Sequence, residues 1–115
     1  MKESSLQRRI IAYLRGQGCY VFKVVGSPLQ QRGTPDLLAC CQGRFLALEI
    51  KVPGEKATPL QEHELKKIQA AGGAVQVCTS LRDVQFMLFA ALQTPPTPPA
   101  PCPPVSLPPL PLTAP

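Results

Sequence analysis

The sequence predicts a small α/β domain, a mixed sheet with helices on both faces, in the order α-β-β-β-α-β-α. Three observations carry that prediction. Three segments repeat their apolar residues at helical spacing, and four short apolar runs have the length and composition of strands. Two of those runs are joined by a tight turn at Gln42-Gly43, the signature of an antiparallel hairpin. The last two enclose a helix of the length that connects parallel strands.

Taken in order, Lys2 to Arg15 places Leu6, Ile10, Tyr13 and Leu14 on one helical stripe, with Arg8, Arg9 and Arg15 mostly off it. Glu3 precedes Leu6 by three and Ile10 by seven, which extends the inward face. A carboxylate in a first turn also complements the helix dipole, so spacing alone admits either role. Gly16-Gln17-Gly18 ends the helix. Cys19 to Val25 follows as a strand whose one charge, Lys23, points to the same sheet end as Asp36 or sits at a solvated edge. Gly26 to Gly33 is a loop carrying Arg32, a reasonable phosphate contact, since loops on rigid scaffolds often carry binding groups.

The hairpin spans Gly33 to Lys51. A two-residue turn sets Cys41 opposite Arg44, so paired residue numbers sum to 85 and Asp36 falls opposite Glu49. Alternation places Asp36, Leu38, Cys40, Phe45, Ala47, Glu49 and Lys51 on one face. Leu37, Ala39, Leu46, Leu48, Ile50 and Val52 lie mostly on the other. Both faces are apolar for most of their length, as in sheets covered on both sides. The exceptions gather at one end, where two carboxylates meet one ammonium. Like charges directly opposite destabilise a strand pair. Lys51 leaves one negative charge over, and a divalent metal would supply the rest. The simpler reading is a salt-bridged strand end, with Lys51 balancing Glu49 and Asp36 exposed.

Beyond the hairpin, Pro53 to Ala57 is a polar loop with Glu55 and Lys56. Thr58-Pro59-Leu60-Gln61 is a capping box with proline at the first helical position, so Gln61 either caps the helix or reaches into the site. Gly72-Gly73 ends that helix, Ala74 to Cys78 is a strand, and Ser80 with Asp83 caps a last helix from Leu81 to about Leu92.

Residues 1–94 are expected to fold as one domain, small but adequate for a single core. From residue 95 to residue 115, 11 of 21 residues are proline and none is charged, which predicts an extended, disordered tail. Its P-x-x-P spacings offer a weak motif for a proline-binding groove, without flanking Arg or Lys. The net charge of +5 therefore lies in the folded part and suits an anionic partner. Five cysteines without a C-x-x-C pair and a single histidine, His63, argue against zinc. The odd cysteine count, the absence of a secretory signal and the lack of a long apolar run predict a soluble, cytoplasmic protein away from membranes.

Glu3 on the first helix, Gly33-Thr34-Pro35-Asp36, Glu49-Ile50-Lys51 and Gln61 on the next helix resemble the PD-(D/E)XK nuclease superfamily. Within it the chain is most similar to the VRR-NUC family, especially its minimal stand-alone, phage-type members, over about residues 1–92. The resemblance implies a restriction-endonuclease-like αβββαβ core with an added C-terminal helix. It implies that Asp36, Glu49 and the carbonyl of Ile50 ligate Mg²⁺ or Mn²⁺, and that Glu3 acts through water or a second metal. Lys51 would orient the attacking water and steady the phosphate, and Gln61 would position Lys51 or that phosphate. Flanked by carboxylates, Lys51 should stay protonated, which favours charge stabilisation over base catalysis.

The expected function is metal-dependent hydrolysis of DNA phosphodiesters. With little surface for base readout, the enzyme should read shape and backbone. Because the minimal relatives resemble junction-cleaving enzymes that work as homodimers, the resemblance makes branched DNA such as a four-way junction the preferred substrate, with the last helix as candidate interface. Lys23, Arg32 and Lys56 are the expected nucleic-acid contacts. The alternatives are a catalytically silent nucleic-acid-binding module and a nuclease for RNA or single strands.

Overall fold

The computed structural model describes residues 2–25, 32–93 and 106–111. Its elements are α1 (Glu3–Gly16), β1 (Tyr20–Lys23), β2 (Leu37–Cys41), β3 (Arg44–Ile50), α2 (Pro59–Ala70), β4 (Ala74–Cys78) and α3 (Leu81–Gln93). The strands form one sheet in the order β1-β2-β3-β4. The first three pair antiparallel, and β4 joins β3 in parallel after the α2 crossover. The mixed α/β architecture and the element order are those the sequence predicts.

The hairpin register follows its turn. Gln42 and Gly43 both have positive φ, 51° and 79°, the geometry whose twist matches two antiparallel strands. Leu37 therefore pairs with Leu48 and Cys41 with Arg44. The α2 capping box forms as read: the Thr58 side chain accepts from Gln61 N–H, and Thr58 N–H donates to Gln61 Oε1 at 2.9 Å. At α3, Asp83 N–H donates to Ser80 Oγ, while Asp83 Oδ2 accepts from the Thr79 amide at 2.9 Å and its hydroxyl at 3.1 Å. The first strand is shorter than expected. Cys19 N–H donates to the Leu14 carbonyl and completes the end of α1, so the ladder starts at Tyr20.

The two sheet faces are covered unequally. Leu6, Ile10 and Leu14 of α1 and Val84, Met87, Leu88 and Ala91 of α3 pack on Leu37, Ala39, Leu46, Leu48 and Ile50, and these form the core. Among the described residues the opposite face has α2 alone, which packs on β3 and β4. A helix about 10–12 Å wide covers roughly two strands spaced about 4.8 Å apart. The β1–β2 half of that face is left open, so Tyr20, Phe22, Cys40 and Phe45 are exposed. The expectation of two covered faces is thus met on one face and half met on the other.

The predicted Gly26–Gly33 loop lies outside the described residues except for Arg32 and Gly33, and so does the tail apart from residues 106–111. Those six residues form no helix or strand and are exposed. Among the described residues, no helix is long and apolar enough to cross a membrane.

Candidate active site: a carboxylate pair at the open end of the hairpin

Gly33 opens this end of the molecule. Its φ is +82°, and a Cβ there would come within 2.9 Å of the Leu60 backbone oxygen, so the loop presses directly on the first turn of α2. Pro35 is buried behind it, and Asp36 then enters the sheet. The Asp36 carbonyl accepts from Val24 N–H at 2.9 Å, and its side-chain Oδ2 accepts from the Ile50 amide at 2.8 Å. That second bond locks the carboxylate across the hairpin, beside Glu49.

Glu49 is 2% exposed and is the sole charged residue in the core of the described molecule. Lys51 Nζ stands 3.6 Å from its Oε1. Its Oε2 is buried with no hydrogen-bond partner. Burial first, and the Asp36 carboxylate second, push the Glu49 carboxyl up to about 8, against the opposing pull of the Lys51 ammonium. A buried polar atom left unsatisfied costs about 1–3 kcal/mol, and more when charged. Two carboxylates and backbone carbonyls are hard oxygen donors of the kind Mg²⁺ or Mn²⁺ takes. The residues present fit such an ion.

Asp36, Glu49 and Lys51 are thus brought together. Glu3 is the first residue of α1 and half-buried, and among the described residues no three His, Cys, Asp or Glu side chains gather closely enough to hold a metal. Glu3 therefore does not complete a three-residue group with the pair. Gln61 lies in the first turn of α2, and its Oε1 is engaged by the cap. Lys23, Arg32 and Lys56 are all exposed. Lys23 is at the sheet end that holds Asp36, but it pairs with Leu37 and so projects out of phase with the carboxylates. The Ile50 amide that anchors Asp36 has no signal in the sequence: the register sets Asp36 opposite Glu49, and only the side-chain placement brings its Oδ2 to the next amide.

The free outer faces complete the picture. On α3 the inward residues belong to the core, whereas Phe86 and Phe89 are 63% and 66% exposed. The Arg82 guanidinium lies 5.8 Å from the Phe86 ring centre.

Comparison with known proteins agrees with this arrangement. Residues 1–93 match the model of the family described as archaeal Holliday junction resolvase (Hjc). The chain is 37% identical over 91 residues to the protein named "Putative nuclease p44" of Acyrthosiphon pisum secondary endosymbiont phage 1, covering 78% of this chain and 95% of that one. A solved VRR_NUC domain superposes with a TM-score of 0.65 at 25% identity, covering 76% of this chain and 94% of that chain. A second solved structure, a VRR_NUC domain protein, gives 0.67 at 19% identity, covering 81% and 89%. The Archaeoglobus fulgidus Hjc structure gives 0.52 at 20% identity over 64% of each chain. The VRR-NUC likeness is one of structure, while the family model that spans the domain is Hjc. With a carboxylate pair, Glu49 buried and Asp36 half-buried, at the end of a restriction-endonuclease-like sheet, the chain belongs to the Hjc family and is a nuclease.

Proposed function

We propose that the protein is a metal-dependent endonuclease that hydrolyses phosphodiesters of branched DNA, such as a four-way junction, as a homodimer. The observation that carries this reading is the buried, unpartnered Glu49 Oε2 beside Asp36 and Lys51, in a chain whose family is described by junction resolution. Asp36, Glu49 and the Ile50 carbonyl would hold the ion, with Glu3 acting through water or on a second one. A bound divalent ion would lower the pKa of water and stabilise charge on the phosphoryl oxygens.

The chain's own residues supply the rest. The Ile50 amide holds Asp36 in place, so its second oxygen points to one location. Lys51, drawn toward Glu49, keeps a positive charge at the site and steadies the phosphate as negative charge grows on it. Gln61, its Oε1 held in the α2 cap, would have only its amide NH2 left to donate to that phosphate. Lys23, Arg32 and Lys56 carry backbone phosphates, which contribute affinity without sequence readout. Two protomers joined through the outward aromatics of α3 would present two sites to two strands.

The test is cutting by the full chain of a labelled four-way junction and a matched linear duplex, with Mg²⁺, Mn²⁺ or EDTA, beside Glu49→Ala. Metal-dependent cutting of the junction alone, lost in the variant, is the expected result. Equal cutting of both DNAs removes the branch preference. Tight binding with no cutting in either metal identifies a silent binding module instead.

A further inference from the structure

The open half of the sheet is ordered in rows that run toward the acid pair. Tyr20, Cys40 and Phe45 lie side by side across β1, β2 and β3. Phe22, Leu38 and Ala47 form the next row. Val24, Asp36 and Glu49 continue the same progression, with Val24 bonded to Asp36. Rows two residues apart are separated by about 6.6 Å, so the aromatic rows stand roughly 7 and 13 Å from the carboxylates. Tyr20 and Phe22 are 75% and 56% exposed, and Phe45 is 46% exposed beside Gly73, where a Cβ would come within 3.0 Å of its ring. Among the strand residues of β1–β3 on this face, Glu49 is the one acid, and Asp36 just ahead of β2 is its partner.

We infer that this aromatic face is a stacking platform for unpaired nucleobases of the strand whose phosphate is cut at Asp36 and Glu49. The inference rests on the DNA-nuclease reading and specifies its substrate: the nucleotides flanking the scissile phosphate are unpaired on the enzyme, as they are where base pairs open at a branch point. The spacing decides the occupant. A helix or sheet of a protein partner is about 10 Å thick, so one seated on the Phe22 row would overhang the acid row and keep phosphate away. A single strand follows both, its phosphate at the acids and its bases on the rings. Stacking on aromatic side chains tolerates any base, which suits an enzyme without base readout. A continuous duplex hides the faces of its bases and gains nothing here.

The experiment uses the full chain in EDTA and a branched DNA carrying 2-aminopurine at the unpaired nucleotides beside the cut. A matched DNA is abasic at those nucleotides. Stacking quenches the probe on binding, and the abasic change lowers wild-type affinity about tenfold, within the range of one base–aromatic stack. In Phe22→Leu and Tyr20→Leu, both surface changes that keep an apolar side chain, the quenching disappears and the abasic change ceases to matter. Two results overturn the inference: an abasic substitution without cost in the wild type, or variants whose affinity loss follows a shift from dimer to monomer by sedimentation. The latter would make the face a self-association surface. Cutting assays on the same DNA separate the two readings. Base-dependent binding without cutting in Mg²⁺ or Mn²⁺ rejects the nuclease assignment and keeps the platform. Cutting that is indifferent to the abasic change rejects the platform and keeps the nuclease.

Discussion

On the proposed reading, Glu49 concentrates the conflict between stability and function in one side chain. Its carboxyl titrates near 8 in the fold against an ordinary 4.5, because burial and Asp36 both oppose the charge. An acid with a raised folded value loses the protein stability as pH climbs, beginning at 4.5 and levelling off above about 8. The melting temperature in chelator should therefore fall between pH 5 and about pH 8 through this group. Glu49→Gln should flatten that fall and stabilise the metal-free protein at the alkaline end by about 1–3 kcal/mol while abolishing cutting. A variant that is both inactive and less stable at pH 8 would contradict this account. Asp36 separates charge from anchoring. Asp36→Asn keeps an acceptor for the Ile50 amide and should lose activity with little change in melting temperature. Asp36→Ala orphans that amide and should cost about 1–3 kcal/mol as well.

At the scale of elements, two small features hold the site's scaffold. Asp83 is kept below the usual carboxylate range, first by the Thr79 amide and then by the Thr79 hydroxyl and Ser80. Stability from a depressed acid is present above its ordinary 3.8 and is lost as pH falls through the lower folded value. Asp83→Ala should lower stability by about 1 kcal/mol at neutral pH, with the gap closing in acid titrations followed by circular dichroism. Gly33 is the other feature. Gly33→Ala meets both a left-handed backbone and the Leu60 carbonyl oxygen, and should cost about 1–3 kcal/mol. Because the displaced neighbour begins α2, activity should fall further than stability alone predicts. These elements were legible in advance. The turn at Gln42-Gly43, the Thr58–Gln61 box and the Ser80–Asp83 cap each depend on residues within a few positions of one another, where local stereochemistry decides the outcome.

For the whole molecule, charge and tail give the tests. All of the +5 net charge lies before the proline-rich segment. If Lys23, Arg32 and Lys56 each neutralise one phosphate, their joint share of affinity should fall about 40-fold between roughly 50 and 200 mM salt. The triple alanine variant should lower the slope of log affinity against log salt by about 2.7. The tail is proposed to add nothing to folding. Ending the chain after Thr94 should leave the melting temperature unchanged, and a drop of several degrees would show that the segment packs on the domain.

By itself the sequence determined the order of elements, the pairing of Asp36 with Glu49 and the charge imbalance at that strand end. Each of these follows from a period, a turn or a count. Tertiary structure decided what depends on which surfaces meet. It did not join Glu3 to the carboxylate pair in a three-residue metal group, because a position along α1 says nothing about distance to a strand. It engaged Gln61 in the cap, as a local partner already lay within reach. It also bared half of one sheet face, since a single helix is too narrow to cover four strands. That last outcome put exposed aromatics in line with the acids. The alternation Tyr20-Val21-Phe22 indicates a common face, but only packing reveals that nothing within the described domain covers it.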